Sequence, residues 1–272
     1  MLGFCLTFRH IFYKSANVCI VFKSDYNKSS KLTQNRTGVL MDYNYNRFKT
    51  SNYDYEKFPG PKAGETMLDF TLHNMAGDEV KLSDYKGQWV VLETGSLTCP
   101  MYVKNIKPID KLKEKYPDVK FLVVYVREAH PGSRRGAHED LAQKTEMAKE
   151  VQSDYGEKRD ILIDGVDGSM HQAYGSFPNM IYIIDSEGTV AYRCDWSFAK
   201  HIDRILQDRP NIDPNERVQI ITAAPWIMIP VTLKGGWDAL WDLVIALPGI
   251  LIGHLKVDFA RWFGGGESKK KS

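Results

Sequence analysis

Four cysteines in 272 residues, Cys5, Cys19, Cys99 and Cys194, are too few and too widely spaced for a disulfide framework or a paired-cysteine zinc site. A reduced, cytoplasmic setting with no bound metal is the expectation that follows. A surplus of charge is missing too. The 36 basic and 34 acidic residues leave a net +2, without the basic excess with which nucleic-acid binders neutralise phosphates, so no nucleic-acid partner is expected. In the first 40 residues Arg9, His10 and Lys14 interrupt the apolar stretch, and no long hydrophobic run ends in small residues. A secretory signal is therefore not predicted. No internal repeat is visible. No second cysteine stands three residues after Cys99, because position 102 is Tyr102. That excludes Cys-x-x-Cys dithiol chemistry.

With 43% apolar and 26% charged residues, the chain can pack one ordinary domain and carry extensions at both ends. Residues 1–60 read as an N-terminal extension. Residues 1–40 are either an upstream segment or a start assigned too early, and residues 41–60, rich in Asn, Tyr and Lys without a period, read as a mobile lead-in. From Pro61 two short apolar stretches flank the turn at Ala76-Gly77-Asp78, and a stronger one runs from Trp89 to Thr94. These predict a hairpin and then a buried strand. Helical spacing of Val103, Ile106, Ile109, Leu112 and Tyr116 follows Cys99, with a kink predicted at Pro108. Next come strands at 119–126 and 160–164 around a helix at 141–151, a short helix at 167–174, strands at 180–185 and 189–194, and a helix at 198–207. Alternation of strands and helices with a closing hairpin predicts an α/β domain over 61–210, a thioredoxin-like fold with a mixed central sheet flanked by helices. Residues 211–272 change composition to Trp, Ile, Leu and Pro and read as a separate hydrophobic tail.

A cysteine between a buried strand and a helix meets the free amides and positive dipole end of that helix, both of which favour thiolate. Cys99 has this placement, with Pro100 at the first helical position and the hydroxyls of Ser96 and Thr98 within a few residues as donors to the sulfur. The hexapeptide Gly95-Ser96-Leu97-Thr98-Cys99-Pro100 resembles the glycine-serine-x-threonine-selenocysteine-proline motif of the iodothyronine deiodinases, with cysteine where those enzymes usually carry selenocysteine. Tyr125-Val126-Arg127-Glu128-Ala129-His130-Pro131 is similar to a second segment of that family, His138 before a helix to a third, and Ala173-Tyr174-Gly175 with Pro178 to a fourth. The resemblance covers roughly residues 61–208.

The resemblance implies reductive dehalogenation of an iodinated aromatic substrate through Cys99. It makes His130 and His138 the proton-handling and orienting groups, Tyr125 and Glu128 their hydrogen-bonded relay, and Pro178 and Tyr174 the substrate contacts. Pro178 stands where thioredoxin folds carry a cis-proline. No bound cofactor is implied, only an external thiol reductant. Sulfur in place of selenium keeps a second enzyme open, a one-cysteine thiol peroxidase or disulfide oxidoreductase with a small peroxide substrate, in which Cys194 is the resolving thiol. A peroxiredoxin motif is broken at Ser96 and Leu92. A non-catalytic thioredoxin-fold binding module is the alternative outside enzymes. In the tail, Trp237, Leu240, Trp241, Val244 and Leu247 share a helical face interrupted at Pro248-Gly249, so residues 226–255 are expected either to touch a membrane surface, helped by Lys269–Lys271, or to pack on the core or on a second copy in a homodimer.

Overall fold

Trp89–Gly95 and Val119–Tyr125 are apolar almost throughout, the pattern of strands covered on both faces, and they form the middle of a seven-stranded mixed sheet. The computed structural model describes residues 33–34, 40–41, 43–54, 57–214, 216 and 222–263, of which 33–34, 40–41, 251 and 253–263 by backbone only. Cys5, Cys19, the first 32 residues and Lys269–Lys271 lie outside the described residues. In chain order the strands are β1 (Thr71–His73), β2 (Glu79–Lys81), β3 (Trp89–Gly95), β4 (Val119–Tyr125), β5 (Asp160–Ile163), β6 (Ile181–Ile184) and β7 (Val190–Cys194). Across the sheet they stand as β2-β1-β5-β4-β3-β6-β7. β3, β4 and β5 run parallel, while β6 is antiparallel to β3, β7 to β6 and β1 to β5.

Two helices, α1 (Pro100–Lys115) and α2 (Leu141–Tyr155), make the crossovers from β3 to β4 and from β4 to β5. Successive right-handed crossovers that step the same way along a sheet place their helices on one face. Tyr102 and Ile106 of α1 accordingly share a cluster with Met147 and Val151 of α2 over Val123, Tyr125, Ile161 and Ile163. The other face carries the alternate residues Val90, Leu92, Leu122 and Val124, covered by Met170 and Tyr174 of α3 (Ser169–Tyr174). α4 (Ala199–Gln207) returns to the α1 face, where Ile202 and Ile205 meet Val91 and Ile109. The result is a thioredoxin-like α/β fold. The predicted elements are present with ends shifted by a few residues. α1 continues through Pro108, which lies on its exposed face.

Two expectations fail. The segment 43–54 is no mobile lead-in: Tyr43 and Phe48 are buried, and the rings of Tyr43, Tyr45 and Tyr53 surround the Arg127 guanidinium with centroids 4.8, 4.9 and 5.1 Å away. Its tyrosines are partners for a buried cation, which a composition-based reading takes for polar filler. The C-terminal tail is no separate segment either. α5 (Pro225–Thr232) and α6 (Trp237–Phe263) pack on the domain through buried Val231, Thr232, Ala239 and Leu243, and belong to the same compact unit as the sheet. α6 runs through Pro248, held on either side by Leu247 and Ile250 at an apolar pocket. No helix among the described residues is long and apolar enough to cross a membrane.

Candidate functional site

β3 ends at Gly95, where a Cβ would lie 2.6 Å from the Tyr102 ring, so only glycine lets the first turn of α1 come down onto the strand end. Cys99 is the N-cap residue of that helix, in extended conformation (φ −97°, ψ 103°), and Pro100 follows at the first helical position. Cys99 is only 1% exposed. Burial pushes its thiol up to about 12, against the opposing pull of the Tyr102 and Met101 amides. The expectation of a thiolate is therefore reversed. The helix amides are present, but loss of water around the sulfur outweighs them.

Glu128, just after β4, is buried and receives four donors. The Thr98 amide reaches its Oε2 at 2.9 Å and the Thr98 hydroxyl at 2.6 Å. The Tyr125 hydroxyl donates to Oε1, and Nε2 of His138 lies 3.2 Å from the same oxygen. Burial alone would raise the Glu128 carboxyl, but these partners hold it below the usual range, so it is ionised. His138 is buried and pushed down, so it is neutral near pH 7 and gives Glu128 a hydrogen bond. The carboxylate thus ties the turn before Cys99 to the loop after β4.

The sequence expectation placed both histidines on this relay, but only His138 joins it. The side chain of His130 points elsewhere, while its amide donates to Thr98 Oγ1 at 3.0 Å. The Thr98 hydroxyl proton is committed to Glu128 and does not serve the sulfur. The Ser96 hydroxyl accepts from the Ala129 amide at 3.2 Å. His130 packs on the Phe48 ring at 4.7 Å, its Nδ1 is buried without a hydrogen-bond partner among the described residues, and burial lowers it to about 4. Both His130 and Cys99 face one cavity of about 120 Å³, walled by Phe48, Tyr53, Met101, Pro178, Trp196 and side chains of α5 and α6.

Pro178 lines this cavity, but no cis peptide bond occurs among the described residues, so its peptide is trans. Tyr174 does not reach the cavity. It is buried on the opposite face, its hydroxyl donating to the Leu68 carbonyl at 2.6 Å. Cys194 ends β7 in a neighbouring core cluster that does not include Cys99, and both thiols are free.

Several contributors escape sequence reading. Phe48, Trp196, Leu243 and Leu247 come to the pocket from remote segments. Under α1, Arg159 is fully buried between Glu93 (2.5 Å) and Glu157 (2.6 Å), and Glu157 also accepts from the Tyr102 hydroxyl at 2.7 Å. Tyr102 thus occupies the place of a second thiol and anchors the Cys99 helix to a buried ion cluster. The signal available was Glu93, an acid inside an otherwise apolar strand that demands a buried cation.

A lone cysteine at the N-cap of the helix after the first central strand, opening with a histidine onto an apolar pocket, defines a thioredoxin-fold protein of the thiol-dependent redox class. The chain belongs to the iodothyronine deiodinase family, whose model matches residues 1–202. That match begins before the 61–208 stretch that carries the motifs and ends within it. Sheep (Ovis aries) thyroxine 5-deiodinase is 31% identical over 114 residues, covering 38% of this chain and 38% of that protein. The chain therefore matches less than half the length of these curated relatives. A glutathione peroxidase homologue of Staphylococcus epidermidis is 24% identical over 47% of this chain and 88% of its own. Among solved structures, the exposed lipoprotein thioredoxin of Streptococcus pneumoniae is 24% identical with a TM-score of 0.42, covering 52% of this chain and 99% of its own.

Proposed function

We propose that this chain is a cysteine-dependent reductive dehalogenase of iodinated aromatic molecules, with Cys99 as the group that takes the iodine. The observation that carries the reading is that Cys99 and His130 line one apolar pocket at the start of α1. As a buried thiol, Cys99 supplies both the sulfur and the proton that the reaction needs. Sulfur attacks iodine, the carbon–iodine bond breaks with its electrons staying on the ring carbon, and the thiol proton is delivered to that carbon, His130 passing it on. The products are a sulfenyl iodide on Cys99 and the deiodinated ring. Two molecules of an external thiol then restore Cys99, leaving as a disulfide and releasing iodide with a proton. Glu128, Thr98, Tyr125 and His138 are positioning residues that hold the loop of His130 against the turn of Cys99.

The test is iodide release from an iodinated phenol by wild type, Cys99→Ser and His130→Ala under excess dithiol. Release should vanish in the first variant and fall in the second. Release that persists in Cys99→Ser would remove the reading. Likeness to the bacterial glutathione peroxidase homologue supports a second one, in which peroxide oxidises Cys99 to a sulfenic acid with loss of the alcohol, and thiols reduce it with loss of water. A resolving role for Cys194 in that cycle requires unpacking of the core cluster it occupies. Peroxide consumption without iodide release would select this second chemistry.

A further inference from the structure

The family match ends at residue 202, yet much of the Cys99 pocket wall comes from beyond it. Met228 of α5 and Leu243, Leu247 and Ile250 of α6 line the same cavity as Cys99. The two helices are fastened to the loop that carries His130. Asp238 accepts from the Ser133 amide at 2.9 Å and from the Ser133 hydroxyl at 2.9 Å, and the Arg134 amide donates to the Gly235 carbonyl at 2.8 Å. Arg47 donates twice to Asp242 at 2.6 Å, tying α6 to the N-terminal segment as well. The turn between the helices sits backbone to backbone on this loop: a Cβ on Gly235 would lie 2.3 Å from the His130 carbonyl, and one on Gly132 2.6 Å from the Gly235 carbonyl. Main-chain contact of this kind fixes the height of α6 above Cys99.

Size follows from that height. A cavity of roughly 150 Å³ with aliphatic walls holds one benzene ring, whereas pockets for drug-sized ligands run from roughly 300 Å³ upward. At about 120 Å³ the pocket holds one ring, and a second would have to lie outside it. We propose that α5 and α6 form a cap that restricts Cys99 to single-ring aromatic substrates, with Leu247 and its neighbours on α6 setting the size limit and Asp238 and Asp242 holding the cap in place. This rests on the reading that Cys99 acts on an aromatic ring. The same cap dries the sulfur, consistent with a thiol displaced upward by burial.

Two measurements without turnover test it on the full chain. The first is calorimetric binding of 4-iodophenol and of the two-ring 4-phenoxyphenol. Wild type should favour the single ring by tenfold or more, and Leu247→Ala should bring the ratio below threefold. The second is the rate at which Cys99, followed by peptide mass mapping, reacts with iodoacetamide and with a bulky aryl maleimide. Asp238→Ala should speed the maleimide at least tenfold and iodoacetamide much less. Equal affinity of wild type for both ligands, or a size ratio unchanged in Leu247→Ala, overturns the cap. Should Asp238→Ala fail to fold, Leu247→Ala decides alone. A protein that discriminates by size yet releases no iodide keeps the cap and loses the dehalogenase reading; one that releases iodide equally from one-ring and two-ring substrates keeps the reading and loses the cap.

Discussion

Replacing Glu128 tests the site's scaffold directly, because one buried carboxylate holds the Thr98 amide, the Thr98 hydroxyl, the Tyr125 hydroxyl and His138. In Glu128→Ala all four lose their acceptor in a place that water does not reach. A buried donor left unpaired costs about 1–3 kcal/mol, and hydrogen bonds to an ionised acceptor stand at the upper end. Even if two of the four find other partners, the loss is about 4 kcal/mol, a large share of a domain's net stability of about 5–15 kcal/mol. Glu128→Gln is milder. Its carbonyl can serve Thr98 while its amide turns to Tyr125 and to the other tautomer of His138, so about 2 kcal/mol is expected from the lost charge. Urea unfolding at pH 7 measures both, and a Thr98→Val, Glu128→Gln double-mutant cycle should show a coupling of about 1 kcal/mol or more, since the two side chains bond directly. An Ala variant within 1 kcal/mol of wild type would refute the reasoning, because it would mean that these donors are hydrated or bonded elsewhere.

Arg159→Ala should destabilise by about 3–5 kcal/mol by leaving Glu93 and Glu157 buried without their cation, and Arg159→Met should cost no less while both acids remain; thermal unfolding of either at wild-type level would contradict this. Gly95→Ala drives a methyl into the Tyr102 ring, which its bond to Glu157 keeps from swinging aside, and should cost about 1–3 kcal/mol and slow any Cys99-dependent reaction. His130 is held neutral by burial, at about 4 against an ordinary 6.5. The unfolded chain therefore takes up a proton below pH 6.5 that the folded chain refuses, so stability falls between pH 6.5 and about 4, by about 3 kcal/mol in all. His130→Gln should flatten that part of the urea-midpoint profile, and an unchanged slope would show that His130 is hydrated.

Local pattern was enough to read the secondary structure and the fold class, and it singled out Cys99 as the candidate reactive residue. Strands β3 and β4 announce themselves by mostly apolar runs, α1 by its spacing after Cys99, and the family by two short motifs around Cys99 and Glu128. Each of these signals lies within a few neighbouring residues, so no knowledge of distant contacts is needed. What tertiary structure alone decides is everything that depends on which remote segments meet. It separates His130, open to the pocket, from His138, bound to Glu128, although both stand in polar loop sequence. It moves Tyr174 to the opposite face of the sheet and makes Tyr43, Tyr45 and Tyr53 a cage for Arg127. Most of all it brings α6, some 140 residues along the chain, to the pocket that Cys99 lines. The protonation state of that cysteine follows from its burial, because desolvation depends on what surrounds the sulfur in space, whereas the amides that favour thiolate come from its immediate neighbours in sequence.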